Sequence, residues 1–153
     1  MELASFLSGD EWTDRPACTN PLLATAAQYV NDDLRDEERY RLLPLLGRLM
    51  NTSLDGPEIE DAVHLAAADY VRPFIGHPDR MVHSLAQEAQ AAYAKPKWVV
   101  GNAEIAVHVA GGDTVDLLST LIDAYDKVTG RTEAATVTED DLRRCAELTG
   151  ATA

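Results

Sequence analysis

Two ten-residue stretches of this chain carry a carboxylate and an imidazole at the same spacing. Glu60-Asp-Ala-Val-His64-Leu-Ala-Ala-Ala-Asp69 returns 44 residues later as Glu104-Ile-Ala-Val-His108-Val-Ala-Gly-Gly-Asp113, identical at six of ten positions. On helices, Glu-x-x-x-His sets the two groups one turn apart on one face. Two such helices facing each other would offer a metal two oxygens and two nitrogens, as bundle metalloproteins do. A metal-dependent helical-bundle enzyme using Glu60, His64, Glu104 and His108 is therefore one reading. Against it, the likeness stops at the ends of the ten residues, and an alanine-rich chain produces such echoes by chance. Neither histidine has a recognisable orienting partner in the sequence. No bound metal and no cofactor is the expectation.

The segment Asp10-Glu-Trp-Thr-Asp-Arg-Pro-Ala-Cys-Thr-Asn20 gathers Trp12, Asp14, Arg15 and Cys18 without helical or strand period. Irregular segments carry function more often than helices do. Cys18 lies just before a helix start, where the helix dipole lowers a thiol pKa. A nucleophilic cysteine also needs a base, and spacing does not bring His64, His77, His83 or His108 to it. The plainer reading has Trp12 plugging the core, Asp14 pairing with Arg15, Thr19 or Asn20 capping a helix, and Cys18 as a small apolar residue. These four residues, Trp12, Asp14, Arg15 and Cys18, are the candidate binding residues. Two further motifs carry no chemistry. In Gly76-His77-Pro78-Asp79-Arg80 a turn and helix cap explain the residues. Gly111-Gly112-Asp113-Thr114 lacks the Gly-Lys-Ser/Thr of a phosphate loop and reads as a hinge.

The elements that must position these groups are helices. Leu3, Phe6 and Leu7 suit one short turn ending at Gly9. Pro21, after Thr19 and Asn20, opens a helix to about Leu34. Asp36 is expected to cap a second, with Leu42, Leu43, Leu46, Leu49 and Met50 apolar and Pro44 kinking or splitting it. Pro57 begins a third that Pro73 ends, with Ile59, Val63, Tyr70 and Phe74 to one side. Pro78 opens a fourth, carrying Met81, Val82, Leu85, Ala89 and Tyr93 as far as Lys95-Pro96. Asp113 or Thr114 caps another, which Gly130 closes. Thr138-Glu-Asp-Asp141 resembles a capping box for a last helix bearing Leu142, Cys145 and Leu148. The segment 98–109 is ambiguous. Ile105, Val107 and Val109 alternate, so a β-hairpin turning at Gly101-Asn102 competes with a helix. A helix is preferred, because a lone hairpin leaves two edges exposed. The expectation is an all-α single domain over 1–153, a bundle of five to seven helices, with 131–137 a flexible connection.

The stretch from Trp12 to Arg48, with its Trp-x-Asp, Pro-x-Cys-Thr and Pro-Leu-Leu opening, resembles uncharacterised helical proteins of actinobacteria. The likeness covers the first third of the chain. It implies an all-α fold and intracellular life, and brings no activity with it. Some of those proteins carry His where this chain has Arg15 and Asn20, a departure that speaks against a metal site in the loop here.

Thirteen basic against twenty-six acidic residues leave a net charge of −13 in a chain that is 46% hydrophobic. Such a surface repels phosphate backbones and anionic lipid, so neither nucleic acid nor a membrane is an expected partner. A basic protein fits better. Only three of the basic residues are lysines, which with the many alanines suggests a GC-rich bacterial source. Two distant cysteines, no basic amino-terminal region and no long apolar run point to the cytoplasm. The function expected is a non-enzymatic protein-interaction or regulatory domain. The metal enzyme is the alternative, and a structural homo-oligomer burying Leu42–Met50 between subunits is the third.

Overall fold

Asn20 starts the first helix by closing two contacts at once. Its side-chain Oδ1 accepts the backbone N–H groups of Leu22 and Leu23 at 2.9 and 3.3 Å, which satisfies two of the orphan donors of a helix start. Its Nδ2 donates to the Leu54 carbonyl at 2.9 Å, and its backbone N–H donates to Thr52 Oγ1 at 3.0 Å. The same residue thus begins a helix and fastens it to a loop more than thirty positions away. The computed structural model describes residues 17–91 and 95–132, with the isolated positions 138, 140 and 143.

Six α-helices follow one another among the described residues: α1 (Pro21–Asp33), α2 (Leu43–Leu49), α3 (Pro57–Val71), α4 (Arg80–Ala89), α5 (Pro96–Val109) and α6 (Thr114–Thr129). Short 3-10 turns, Asp36–Leu42 and Arg72–Phe74, precede α2 and follow α3. No strand occurs among the described residues, so the fold is an all-α bundle. None of these helices is long and apolar enough to cross a membrane.

Most starts follow local chemistry. Pro21, Pro44, Pro57 and Pro96 sit in first turns, where a missing N–H costs nothing. Asp79 and Asp113 cap α4 and α6 by accepting N–H groups two and three residues on. Pro44 therefore divides its segment: 3-10 geometry runs before it and α geometry after it, while Arg35 rather than Asp36 precedes the turn and makes no side-chain cap. The fourth helix begins at the Asp79 cap, one residue after Pro78, and stops at Ala89.

The 98–109 segment is α5, and the hairpin alternative is overturned. Val99, Val100, Ala103, Ala106 and Val107 are fully buried. Their spacing, one turn after another, forms a single helical face. That face packs against α1, α3 and α4. Gly111 and Gly112 end the helix instead of hinging it. Gly112 N–H donates to the Val107 carbonyl at 2.8 Å and Gly111 N–H to His108 at 2.9 Å, with Gly111 at φ 71°. This is the paired closure of a left-handed helix cap.

α3 and α6 form the other broad contact. Leu117, Leu118, Leu121, Ile122 and Tyr125 of α6 are buried against Ile59, Val63, Ala67 and Val71 of α3 in one continuous core. Leu45, Leu46, Leu49 and Met50 are buried too. These four of the apolar residues from Leu42 to Met50 are therefore spent inside the fold, while Leu42 and Leu43 are only partly buried. Met81, expected on a buried stripe, is exposed.

One charged clamp closes α2 onto α6. Arg48 Nη2 donates to Asp123 at 2.6 Å and to Asp126 at 2.8 Å. Arg131 Nε donates to the other Asp126 oxygen at 2.7 Å, and its Nη atoms reach the carbonyls of Arg48 and Met50. Those carbonyls belong to the end of α2, where no intrahelical donor remains. Beneath it Tyr125 is fully buried, with its hydroxyl accepting the Leu54 N–H at 3.1 Å.

Candidate functional site

α5 has a second face. Trp98, Asn102, Ile105 and Val109 recur at intervals of four, three and four, which is helical spacing. This stripe is left uncovered: Trp98 is 68% exposed and Ile105 43%. Beside it, from α1, stands Tyr29, also exposed at 40%. A row of apolar side chains this open is a feature of contact surfaces rather than of ordinary solvated helices.

Gly101 sets how closely α1 approaches. A Cβ at this position would sit 3.3 Å from Tyr29 Cε2, a tight contact. With glycine there, the ring lies against the α5 backbone. One turn further along α1 and two along α5, Asp33 meets His108, with Oδ2 2.5 Å from Nδ1. Between these two crossings lies Glu104. It borders the buried face of α5 and is only 7% exposed. Its carboxyl is pushed up to about 7, first because burial disfavours the charged form, then because Asp33 is close; His108 acts in the opposite sense. No hydrogen bond from a described residue reaches this carboxylate.

A hollow of about 330 Å³ opens above it, lined among the described residues by Tyr29, Lys97, Trp98, Gly101, Asn102, Glu104 and Ile105. On the other flank of Trp98 a second hollow is bordered by Ser84, Glu88, Lys95 and Asn102. Asn102 Nδ2 donates to Glu88 Oε2 at 3.2 Å, which ties α5 to α4 at that rim. Trp98 is thus a ridge between two depressions. A third and larger depression, bordered by Ala17, Thr19, Gln28, Glu60, Lys95 and Lys97, continues the surface along α1.

The two Glu-x-x-x-His pairs are not gathered. Glu104 and His108 act with Asp33 of α1, while Glu60 borders the depression at the start of α5, beside Lys95 and Lys97. Among the described residues no three His, Cys, Asp or Glu side chains stand where they could share a metal ion. The four-ligand reading of Glu60, His64, Glu104 and His108 is corrected on that ground. The echo instead reflects two helices that turn the same valine into one core, with Val63 and Val107 both fully enclosed.

Trp12, Asp14 and Arg15 lie outside the described residues. Cys18 is half-buried, with Sγ 3.6 Å from Thr19 Oγ1 and no histidine bonded to it. His77 Nδ1 accepts the Asp79 N–H at 3.1 Å, so Gly76–Arg80 is the turn and cap its residues suggested. Leu142, Cys145 and Leu148 also lie outside the described residues.

Sequence reasoning missed Tyr29, Asp33, Trp98 and Asn102. The signal was present: Tyr29 and Asp33 are one turn apart, and the Trp98 stripe has helical period. Ile105 and Val109 obscure it, because with Val107 they also alternate as a strand would. No protein-family model, curated protein or solved structure matches the chain.

Proposed function

We propose that this protein is a non-enzymatic interaction domain of the bacterial cytoplasm that receives a basic protein on the face formed by α1 and α5. The observation that carries the reading is the uncovered stripe of Trp98, Ile105 and Val109 beside Tyr29. Exposed tryptophan and tyrosine flanking shallow depressions are the anchors around which protein contacts form. The sign of the partner follows from charge. A surface at −13 draws cationic proteins and slows approach of its own copies. Ala17 and Thr19 border the adjoining depression, and Trp12, Asp14, Arg15 and Cys18 are proposed as further contacts of the same partner.

Photo-crosslinking tests this reading. A crosslinker at position 105 should capture a basic protein, and one at position 65, where Leu65 is even more open on α3, should not. Capture should fade as salt is raised, because long-range attraction is screened. Equal capture from both positions, or only a second copy of the chain from position 105, would remove the reading; the latter would establish a homo-oligomer instead.

A further inference from the structure

We infer that the hollow between α1 and α5, with Tyr29 and Trp98 as walls and Glu104 at its base, takes a cationic side chain, an arginine or lysine, from the basic partner. The inference rests on the interaction reading above and names the chemistry that the face would recognise.

Three observations converge on it. The first is Glu104 itself, more than nine-tenths buried, without a hydrogen-bond donor among the described residues, and bordering the hollow. No buried side-chain oxygen among the described residues lacks a partner. This carboxylate, which accepts no hydrogen bond from them, therefore opens onto the hollow, where an arriving cation would offset the desolvation of its charged form. Among the described residues only His108 acts favourably on the Glu104 carboxylate, and its Nδ1 faces Asp33 instead. Asp33 is committed to His108. Lys97, the cation on the rim among the described residues, is exposed two turns earlier on α5 and is not among the charges acting on Glu104. Glu88, from α4, is engaged by Asn102.

The second is the wall chemistry. Tyrosine and tryptophan faces attract ammonium and guanidinium groups, and their apolar bodies cover the aliphatic stem of such a side chain. The third is Gly101. Its missing Cβ allows Tyr29 to lie against the helix, which brings the aromatic wall and the carboxylate to one small space of about 330 Å³.

The test is a titration with n-butylguanidinium followed by amide NMR, with n-butanol as the neutral control. The guanidinium should shift the Gly101 and Asn102 amides and the Trp98 indole N–H saturably, while butanol leaves them in place. Binding should be about tenfold weaker at pH 6 than at pH 8, because the cation prefers ionised Glu104. Glu104→Gln, checked for an unchanged spectrum elsewhere, should weaken it by about tenfold or more. Lys97→Gln should tighten it by about twofold, through removal of a nearby like charge. Equal shifts with butanol, an unchanged response in Glu104→Gln, or no saturable shift at pH 8 would overturn the inference. Crosslinking from position 105 would still judge the wider docking face, so the two failures are distinguishable.

Discussion

At the scale of single residues, Glu104 makes a stability claim that can be checked without knowing any partner. Its folded-state carboxyl is raised from 4.5 to about 7. Between those values the folded chain keeps a proton that the unfolded chain has lost, so its contribution to stability falls as pH rises through that window. Glu104→Gln removes the titration. Relative to wild type, the variant should be more stable at pH 8 than at pH 4, by about 3 kcal/mol, in urea unfolding at the two pH values. A difference that does not change with pH would contradict the assignment. Sequence alone made Glu104 half of a Glu-x-x-x-His pair. It did not reveal that Asp33, seventy-one positions earlier, would be the neighbouring charge. Pairing across α1 and α5 depends on how the helices cross, and no local pattern encodes that.

At the scale of elements, the ends of helices were more legible than their sides. Asn20, Asp79, Asp113 and Gly130 act as the start and stop signals that their types suggest, because capping is decided within a few residues. The 98–109 segment shows the opposite. Val99, Val100 and Val107 form the buried face, while Ile105 and Val109 belong to the open one, so β-branched residues on two faces imitate strand alternation. Tertiary contact with α1, α3 and α4 settles it as a helix. The end of α5 separates two roles of glycine. Gly111 has a positive φ and open space around it, so Gly111→Ala should cost about 1 kcal/mol through backbone conformation. At Gly112 an added Cβ would meet Val107 Cγ1 at 2.9 Å and the Val107 carbonyl oxygen at 3.2 Å. Val107 is fully enclosed and cannot yield. Gly112→Ala should therefore cost about 2 kcal/mol or more, through overpacking. Paired urea melts should show that ranking, and equal losses would contradict it.

At the scale of the whole molecule, long-range ties decide cooperativity. Arg131, fourteen per cent exposed at its side chain, joins Asp126, the Arg48 and Met50 carbonyls and the Tyr125 ring. Arg131→Ala leaves Asp126 and those carbonyls short of donors, and should lower unfolding free energy by about 3 kcal/mol. Arg41, which pairs with Asp113 near the surface, offers the contrast: Arg41→Ala should cost less than about 1 kcal/mol. Chemical denaturation of both variants checks the ordering. The all-α class and a bundle of five to seven helices were legible in the sequence, from prolines, caps and apolar period. The clamp was not, since twenty-six acidic residues offer each arginine many partners and only the assembled bundle selects among them.

The clamp also bears on how the chain is made. A ribosome delivers α2 long before it delivers residue 131, and Tyr125, which receives the Leu54 N–H, also arrives late. Until then the carbonyls at the end of α2 have only water to bond, and the leucines of its buried face have no α6 to cover them. The end of α2 therefore gains these closing contacts only once α6 and residue 131 have been made.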